Sequence, residues 1–266
     1  MQREEVFESL WQDFTRIAPA AATIRAALVD AGEVVINDHV AFRTFDRGPL
    51  RLDALEPHLL GLGYTRLAPY AFEGKKLRAW GYVHADPLAP KVFLSELEVD
   101  RCSPGLQALV DELVAQVPAD AADDVAVLWS GRPWAPVDHA TWAQAAEESE
   151  YAAWLAALGY HANHFTVSVN HLSPALHGIE AVLAFVERLG FAINESGGRV
   201  KGTPEVLLEQ GSTLADRVPV ELADGERLLP TCYYEFALRH PQADGTLYPG
   251  FVAASADRIF ESTHAG

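Results

Sequence analysis

Hydrophobic residues recur at helical spacing at the start of the chain and alternate with polar residues further on, which predicts a mixture of helices and strands. The helical pattern covers residues 3–17, 19–30 and 52–62, and Gly63 follows the third stretch as a typical helix end. Extended runs, which predict strands, cover residues 36–45, 77–84 and 91–99.

The middle of the chain, residues 103–158, is mostly helical in pattern. Ser103 followed by Pro104 is a typical helix start, because serine caps the first turn and proline fits within it. We expect helices over residues 106–117, 138–147 and 149–158, and a short strand over residues 125–129. The block is therefore expected to be a helical insertion between two α/β pieces.

The second α/β piece begins at Tyr160 and opens with a strand over residues 164–170. A helix over residues 175–189 follows, begun by Ser173 and Pro174. The remaining expected elements are strands over residues 191–195, 206–210 and 231–239 and a tail helix over 256–261 capped by Ser255.

The two α/β pieces contain a weak internal repeat. Residues 38–40 (Asp-His-Val) resemble residues 163–165 (Asn-His-Phe), and each segment leads to a helix with a similar end, at residues 62–64 and 189–191. We therefore predict an α+β fold of two βαβββ-type modules around a central metal cavity. The predicted parts of this single compact domain (1–266) are N-terminal helices (1–32), a first module (33–100), the helical insertion (103–158), and a second module with the tail (160–266).

Composition restricts the class of function. The chain is 49% hydrophobic, which suits a globular protein, and its net charge of −17 argues against binding to nucleic acids or anionic membranes. The two cysteines lie far apart, and we find neither a signal peptide nor an apolar run long enough to span a bilayer, so a cytoplasmic location is expected. An anionic substrate would need buried cations to bind it.

The first strand supplies candidate chemistry. His39, Ala41 and Arg43 share one face of that strand, since side chains alternate in direction. A histidine and an arginine on one face could line a cavity that holds a metal and an anion, with Arg43 gripping a carboxylate by two hydrogen bonds. The alternatives are a face that simply meets water and an arginine in an ordinary surface ion pair.

The repeat predicts that His39 and His164 approach a shared cavity, which leaves one more ligand to find. Glu235 is the best candidate, because it lies in an apolar, aromatic strand where a carboxylate is costly unless it is paired or binds a metal. The alternative partner for Glu235 is Arg239, and Glu96 is a weaker candidate ligand in the first module. Two histidines and a carboxylate are typical of non-haem Fe(II) sites, although zinc or nickel would also accept them.

Four segments in order resemble the 2-oxoadipate dioxygenase/decarboxylase family, which is related to the vicinal-oxygen-chelate fold. These segments are residues 38–44, 163–166, 234–236 and 255–262.

The resemblance implies an Fe(II) enzyme of lysine catabolism that converts 2-oxoadipate and O₂ to (R)-2-hydroxyglutarate and CO₂. It implies His39, His164 and Glu235 as metal ligands, Arg43 as the residue that holds the substrate carboxylate, and Ser255 as part of the substrate pocket. Arg43 and Glu235 would then act directly in catalysis. Two alternatives are a zinc-dependent lyase or hydrolase acting on a small carboxylic acid and a metal-free protein that binds such an acid.

Overall fold

The computed structural model describes residues 1–252, in which helices and one large sheet surround a common core. The helices are α1 (Arg3–Ile17), α2 (Pro19–Asp30), α3 (Leu52–Gly61), α4 (Pro104–Val114), α5 (His139–Glu148), α6 (Glu150–Leu158) and α7 (Ile179–Arg188). The strands are β1 (Asn37–Phe45), β2 (Tyr64–Phe72), β3 (Leu77–His84), β4 (Lys91–Leu97), β5 (Ala162–Ser168), β6 (Lys201–Thr203), β7 (Leu208–Ser212), β8 (Arg217–Leu222), β9 (Gly225–Pro230) and β10 (Tyr233–Arg239).

The large sheet is curled and has the strand order β2-β3-β4-β1-β5-β10-β7-β6. Each half contains one parallel pair, β1 with β4 and β5 with β10, and the halves join through the antiparallel pair β1 and β5. Reading outward from this junction, the two halves repeat the same order of strands and directions. The predicted α+β fold of two βαβββ-type modules is confirmed.

The repeat extends to the turns. Gly63 after α3 and Gly190 after α7 both have positive φ, 91° and 93°, which glycine adopts without the steric cost of a Cβ atom. Lys76 before β3 and Leu207 before β7 are both left-handed residues that end a short 3₁₀ turn. One structural unit is therefore used twice, with a β8–β9 hairpin added between β7 and β10 of the second copy.

The insertion lies against the first strand. Tyr151 of α6 donates a hydrogen bond from its hydroxyl to the Ser95 carbonyl (2.8 Å) and accepts one from the Thr44 backbone N–H (3.0 Å). At the start of the chain, α1 packs Phe14 against Phe165 of β5, with ring centroids 5.1 Å apart. Both helical additions therefore hold the central strands in place.

Several elements differ from the sequence predictions. The strand predicted over residues 125–129 is a 3₁₀ helix, Val125–Trp129, because the Asp124 side chain caps it by accepting a hydrogen bond from the Ala126 N–H. Helix α7 begins at Ile179, later than predicted, because Gly178 has a φ of 147° that a helix does not accommodate.

The remaining differences concern strands. Residues 191–195 form only an isolated bridge, between Ile193 and Thr213, and β5 ends at Ser168. Strand β2 and the β8–β9 hairpin were not predicted. Ser255 and the predicted tail helix over residues 256–261 lie outside the described residues. Within residues 1–252, no helix combines the length and apolar character needed to cross a membrane.

Candidate metal centre

Three potential metal ligands meet at the junction of the two modules. His39 of β1, His164 of β5 and Glu235 of β10 are all buried, and their ligand atoms lie within 4.8 Å of one another. The two histidine Nε2 atoms are 3.3 Å apart, and each lies close to a different oxygen of Glu235, at 3.4 Å for His39 and 3.6 Å for His164. The sequence prediction that these side chains converge is confirmed.

Strand register explains the convergence. Thr166 of β5 is paired with His39 on one side and with Glu235 on the other. Residues directly paired across a sheet lie on the same face, so the histidine and the carboxylate flank Thr166 on one surface. The Thr166 hydroxyl is 3.1 Å from Nε2 of His39.

Each histidine is oriented by the residue before it. Nδ1 of His39 lies 2.7 Å from the Asp38 carboxylate, and Nδ1 of His164 lies 3.1 Å from the side-chain oxygen of Asn163. A proton on Nδ1 satisfies both contacts and leaves Nε2 of each ring as a lone-pair donor toward the shared space.

The electrostatics of the site favour a cation. Burial lowers the pKa of His164, with further lowering by His39 and Arg43, so its ring is neutral near pH 7. Burial also raises the pKa of Glu235, which His39 and a 2.6 Å hydrogen bond from Gln210 partly offset. Oε2 of Glu235 is buried and has no hydrogen-bond partner among residues 1–252. Two imidazoles whose Nε2 atoms face each other and a glutamate with one unsatisfied oxygen fit a divalent metal ion.

The alternative interpretation of Glu235, a salt bridge to Arg239, is wrong. Arg239 instead donates to both carboxylate oxygens of Asp38, at 2.7 and 2.8 Å. Burial alone would raise the pKa of Asp38, but the Arg239 charge and the hydrogen bond to His39 lower it, so Asp38 is ionised. Glu96, the weaker candidate, pairs with Arg78 and is not part of the cluster.

Comparison with known proteins identifies the family. The sequence profile described as 2-oxoadipate dioxygenase/decarboxylase matches residues 9–243. The chain belongs to the 2-oxoadipate dioxygenase/decarboxylase family. It is therefore an enzyme of the oxidoreductase class, and the alternative of a metal-free binding protein is set aside.

Relatives of the family cover most of the chain. The chloroplastic 2-oxoadipate dioxygenase/decarboxylase of Arabidopsis thaliana is 35% identical over 261 residues, covering 85% of this chain and 67% of the relative. A crystal structure of hydroxyglutarate synthase from Oryza sativa in complex with 2-oxoadipate is 31% identical with a TM-score of 0.91, covering 97% of this chain and 91% of that one. A Shewanella frigidimarina crystal structure, provisionally labelled a hydrolase, is 49% identical with a TM-score of 0.89, covering 94% and 98%.

Arg43, which the family resemblance assigns to the substrate, lies on the same strand as His39 and is buried. Its guanidinium carbon is 4.9 Å from the ring centre of Tyr151 and 5.1 Å from that of Trp154, both on α6. Burial lowers the pKa of Arg43, and the nearby tyrosines Tyr233 and Tyr151 oppose that effect. Arg43 also lines a cavity of about 220 Å³ between residues 74–77 and 146–151.

Sequence reasoning missed several residues around the cluster of His39, His164 and Glu235. Tyr233 stacks on His164 with ring centroids 4.8 Å apart, and the Phe251 ring lies 5.0 Å from the His39 ring at nearly a right angle. Lys201 is buried on β6 and donates to the Asn194 carbonyl. Polar residues inside the strands could have indicated Thr166 and Gln210, but no local pattern indicates which strands pair.

Ser255, predicted in the substrate pocket, lies outside the described residues.

Proposed function

We propose that this protein is an Fe(II)-dependent 2-oxoadipate dioxygenase/decarboxylase that produces 2-hydroxyglutarate and CO₂. The observation that carries the proposal is the buried cluster of His39, His164 and Glu235, with one carboxylate oxygen unsatisfied among the described residues. The 2-oxoadipate complex of the Oryza sativa relative, 31% identical to this chain, supports the choice of substrate. Lysine catabolism is the setting that the family resemblance implies, and the cytoplasmic location stays a prediction from the sequence.

The ligand set suits iron. Three protein ligands on adjacent strands would leave positions of an octahedral ion open on one side, as in non-haem Fe(II) oxygenases. Bound Fe(II) would supply the one-electron chemistry that O₂ requires. The overall reaction balances without another reductant: C1 leaves as CO₂, C2 becomes the new carboxylate with one oxygen atom of O₂, and C3 gains the other as a hydroxyl.

Within this proposal, Arg43 binds the distal carboxylate of the substrate. Its position on β1, four residues after His39, separates the cation from the metal ligands along one strand face. The rings of Tyr151 and Trp154 restrict the orientation of the guanidinium, so less freedom is lost when the substrate binds. A buried cation would also allow this acidic protein to bind a dianion.

The aromatic side chains around the cluster would limit access of water. Tyr233 covers one face of His164, and Phe251 lies against His39, Tyr70 and Phe93. Excluding water strengthens the attraction between buried charges and prevents side reactions with solvent.

An oxygen-consumption assay tests the proposal. Protein reconstituted anaerobically with Fe(II) should consume about one O₂ per 2-oxoadipate, with equal release of CO₂ and 2-hydroxyglutarate. Protein loaded with Zn(II) should consume none, because zinc has no redox chemistry.

The matched variants are Glu235→Gln and Glu209→Gln, which make the same chemical change on neighbouring strands. Only Glu235→Gln should lose Fe(II) binding and activity, since Glu209 contacts His240 and not the cluster. Bound Fe(II) without oxygen consumption would contradict the dioxygenase assignment. Activity in the Zn(II) protein would instead favour the lyase or hydrolase alternative.

A further inference from the structure

Arg239, at the end of β10, links two parts of the molecule through one side chain. Its Nε and Nη2 atoms donate to the two carboxylate oxygens of Asp38, at 2.7 and 2.8 Å. Its Nη1 atom donates to the backbone carbonyls of Tyr248 and Gly250, at 2.8 and 2.7 Å. The guanidinium therefore holds a carboxylate on one side and the segment Tyr248–Phe251 on the other.

The carboxylate is the one that orients a metal ligand. Asp38 bonds Nδ1 of His39, so contacts run without interruption from the Gly250 carbonyl through Arg239 and Asp38 to His39. The segment also contacts the His39 ring directly, because the Phe251 ring lies 5.0 Å from it. The same contacts therefore hold the segment in place and orient His39.

The fold does not require a cation at this position. Arg239 pairs with Asn170, six residues after His164, as shown by the hydrogen bonds between the Arg239 backbone and the Asn170 side chain. In the first module, Phe45 lies six residues after His39 and is paired with Leu97. Leu97 thus takes the place of Arg239, and it is also buried. Replacing a buried ion pair by apolar residues is often neutral or stabilising, so packing alone does not explain Arg239.

Besides Arg239, the Tyr248 N–H attaches the segment by donating to the His240 carbonyl at 3.1 Å. Thr246, Leu247 and Pro249 border a cavity of about 480 Å³ that Asp38 and Arg239 also line. The Phe251 N–H donates to the Tyr70 hydroxyl at 3.0 Å, which anchors the inner side of the segment. Arg239 adds a buried cation to these attachments, with hydrogen bonds to two carbonyls of the segment.

We propose that Arg239 is a positioning residue that couples the docking of segment Tyr248–Phe251 to metal binding at His39, His164 and Glu235. Binding of the metal stabilises the contacts of His39 with Asp38 and of Asp38 with Arg239, and with them the docked segment. The docked segment in turn raises metal affinity, because coupling between two sites is reciprocal. The inference rests on the proposed metal centre and adds a regulatory contact to it.

The first test needs no variant and no turnover. Hydrogen exchange of the full chain is measured with and without Co(II), used as a stable probe of the metal site. The backbone N–H groups of Tyr248, Gly250 and Phe251 should exchange several-fold more slowly with Co(II) bound, while the β8–β9 hairpin should be unaffected. Unchanged exchange in residues 248–251, with Co(II) bound, would overturn the coupling.

The second test changes Arg239 in one variant and the segment Tyr248–Phe251 in another, and measures the Kd for Co(II). Arg239→Lys keeps the charge but loses the two parallel bonds to Asp38. Gly250→Ala leaves Arg239 and Asp38 intact but forces the Tyr248 side chain of the segment to move, because a Cβ at Gly250 would overlap the Tyr248 phenol. Each variant should weaken Co(II) binding about 10- to 100-fold, the usual effect of losing a contact behind a ligand, and should lose the Co(II) protection of residues 248–251.

Arg132→Lys is the matched control, since Arg132 also donates to two backbone carbonyls, those of Ala157 and Glu221. It should bind Co(II) as tightly as the wild-type protein. If Arg239→Lys does not fold, Gly250→Ala and the exchange experiment still decide the question. A Kd within twofold of wild type in Gly250→Ala refutes the coupling when exchange in residues 248–251 of that variant is faster than in the wild-type protein. No Co(II) binding by the wild-type protein would overturn the metal centre itself, and this inference with it.

Discussion

His39 and His164 are held in the same way by residues of different charge. Asp38 presents a carboxylate to Nδ1 of His39, whereas Asn163 presents a neutral amide oxygen to Nδ1 of His164. A carboxylate makes its imidazole the stronger electron donor to a metal. In the proposed metal centre, the two modules would therefore supply ligands of unequal strength, with His39 as the stronger donor.

Arg43 is the residue whose proposed role is simplest to test. Arg43→Met should lower kcat/KM for 2-oxoadipate about 10- to 150-fold, because a hydrogen bond to a charged group contributes about 1.5–3 kcal/mol. The same change should have little effect on 2-oxohexanoate, which has the same chain length without the distal carboxylate. The measurement is steady-state oxygen consumption with both acids.

Arg25→Met is the control for Arg43→Met, because Arg25 also stacks on an aromatic ring, 4.6 Å from Trp11, but lies away from the metal cluster. It should leave both substrates unaffected. Equal losses for the two acids in Arg43→Met would mean that Arg43 does not bind the distal carboxylate.

The ligands could be predicted from the sequence, but the contacts behind them could not. His39 and His164 stood out through the repeat, and Glu235 through its apolar neighbours. Strict alternation predicts Asp38 on the face opposite His39, yet the register with β5 shifts between Asn37 and His39, and the Asp38 carboxylate reaches the His39 ring. Irregularities of this kind depend on the partner strand and leave no local signal.

At the scale of elements, the helical insertion supplies the surroundings of Arg43. Tyr151 and Trp154 reach it from α6, and Glu148 at the end of α5 ties this region to two other elements. The Glu148 carboxylate accepts from the Ser103 N–H at the start of α4 (2.8 Å) and from Lys76 before β3 (2.9 Å). The end of α5 is thus a junction between the insertion and the first module.

Glu148→Gln tests this junction through its pH dependence. Burial alone would raise the pKa of Glu148, but the hydrogen bonds from Ser103 and Lys76 lower it to about 2. A carboxyl with a depressed folded-state pKa stabilises the fold above its unfolded pKa, and the contribution is lost as pH falls from about 4.5 toward about 2.

We expect Glu148→Gln to lower the free energy of unfolding by about 0.5–1 kcal/mol at pH 7, a modest value because solvent screens this exposed group. The difference should shrink at pH 3, as measured by urea denaturation. Glu147→Gln, at the exposed neighbouring position, is the control and should differ little from wild type at either pH. A Glu148→Gln effect of the same size at both pH values would contradict the role of the charge.

Strong periodicity made the helices predictable, whereas edge strands were missed. Strand β2 lies at one edge of the sheet, exposes much of its length and contains Pro69, which argues locally against a strand. The run Val125–Trp129 is too short for its pattern to separate a strand from a helix, and the cap at Asp124 decides the outcome. These elements are set by neighbours that are distant in sequence.

For the whole molecule, the decisive feature is that the proposed metal ligands come from both modules. His39 belongs to the first module, whereas His164 and Glu235 belong to the second, and the sheet is continuous through β1 and β5. A bound ion would therefore connect the two halves at their junction. The single compact domain predicted from the sequence should then unfold as one unit.

Thermal unfolding with and without Co(II) tests this prediction. At a free concentration of 100 times Kd, Co(II) should add about 2.7 kcal/mol to the free energy of unfolding, which corresponds to about 5–10 °C in Tm for a chain of this size. His39→Gln and His164→Gln, one change in each module, should both abolish the increase, whereas His177→Gln at an exposed position should keep it. Far-UV circular dichroism and tryptophan fluorescence should report one coincident transition in every case. Two separate transitions, with Co(II) raising only one of them, would mean that the modules unfold independently and that the ion does not join them.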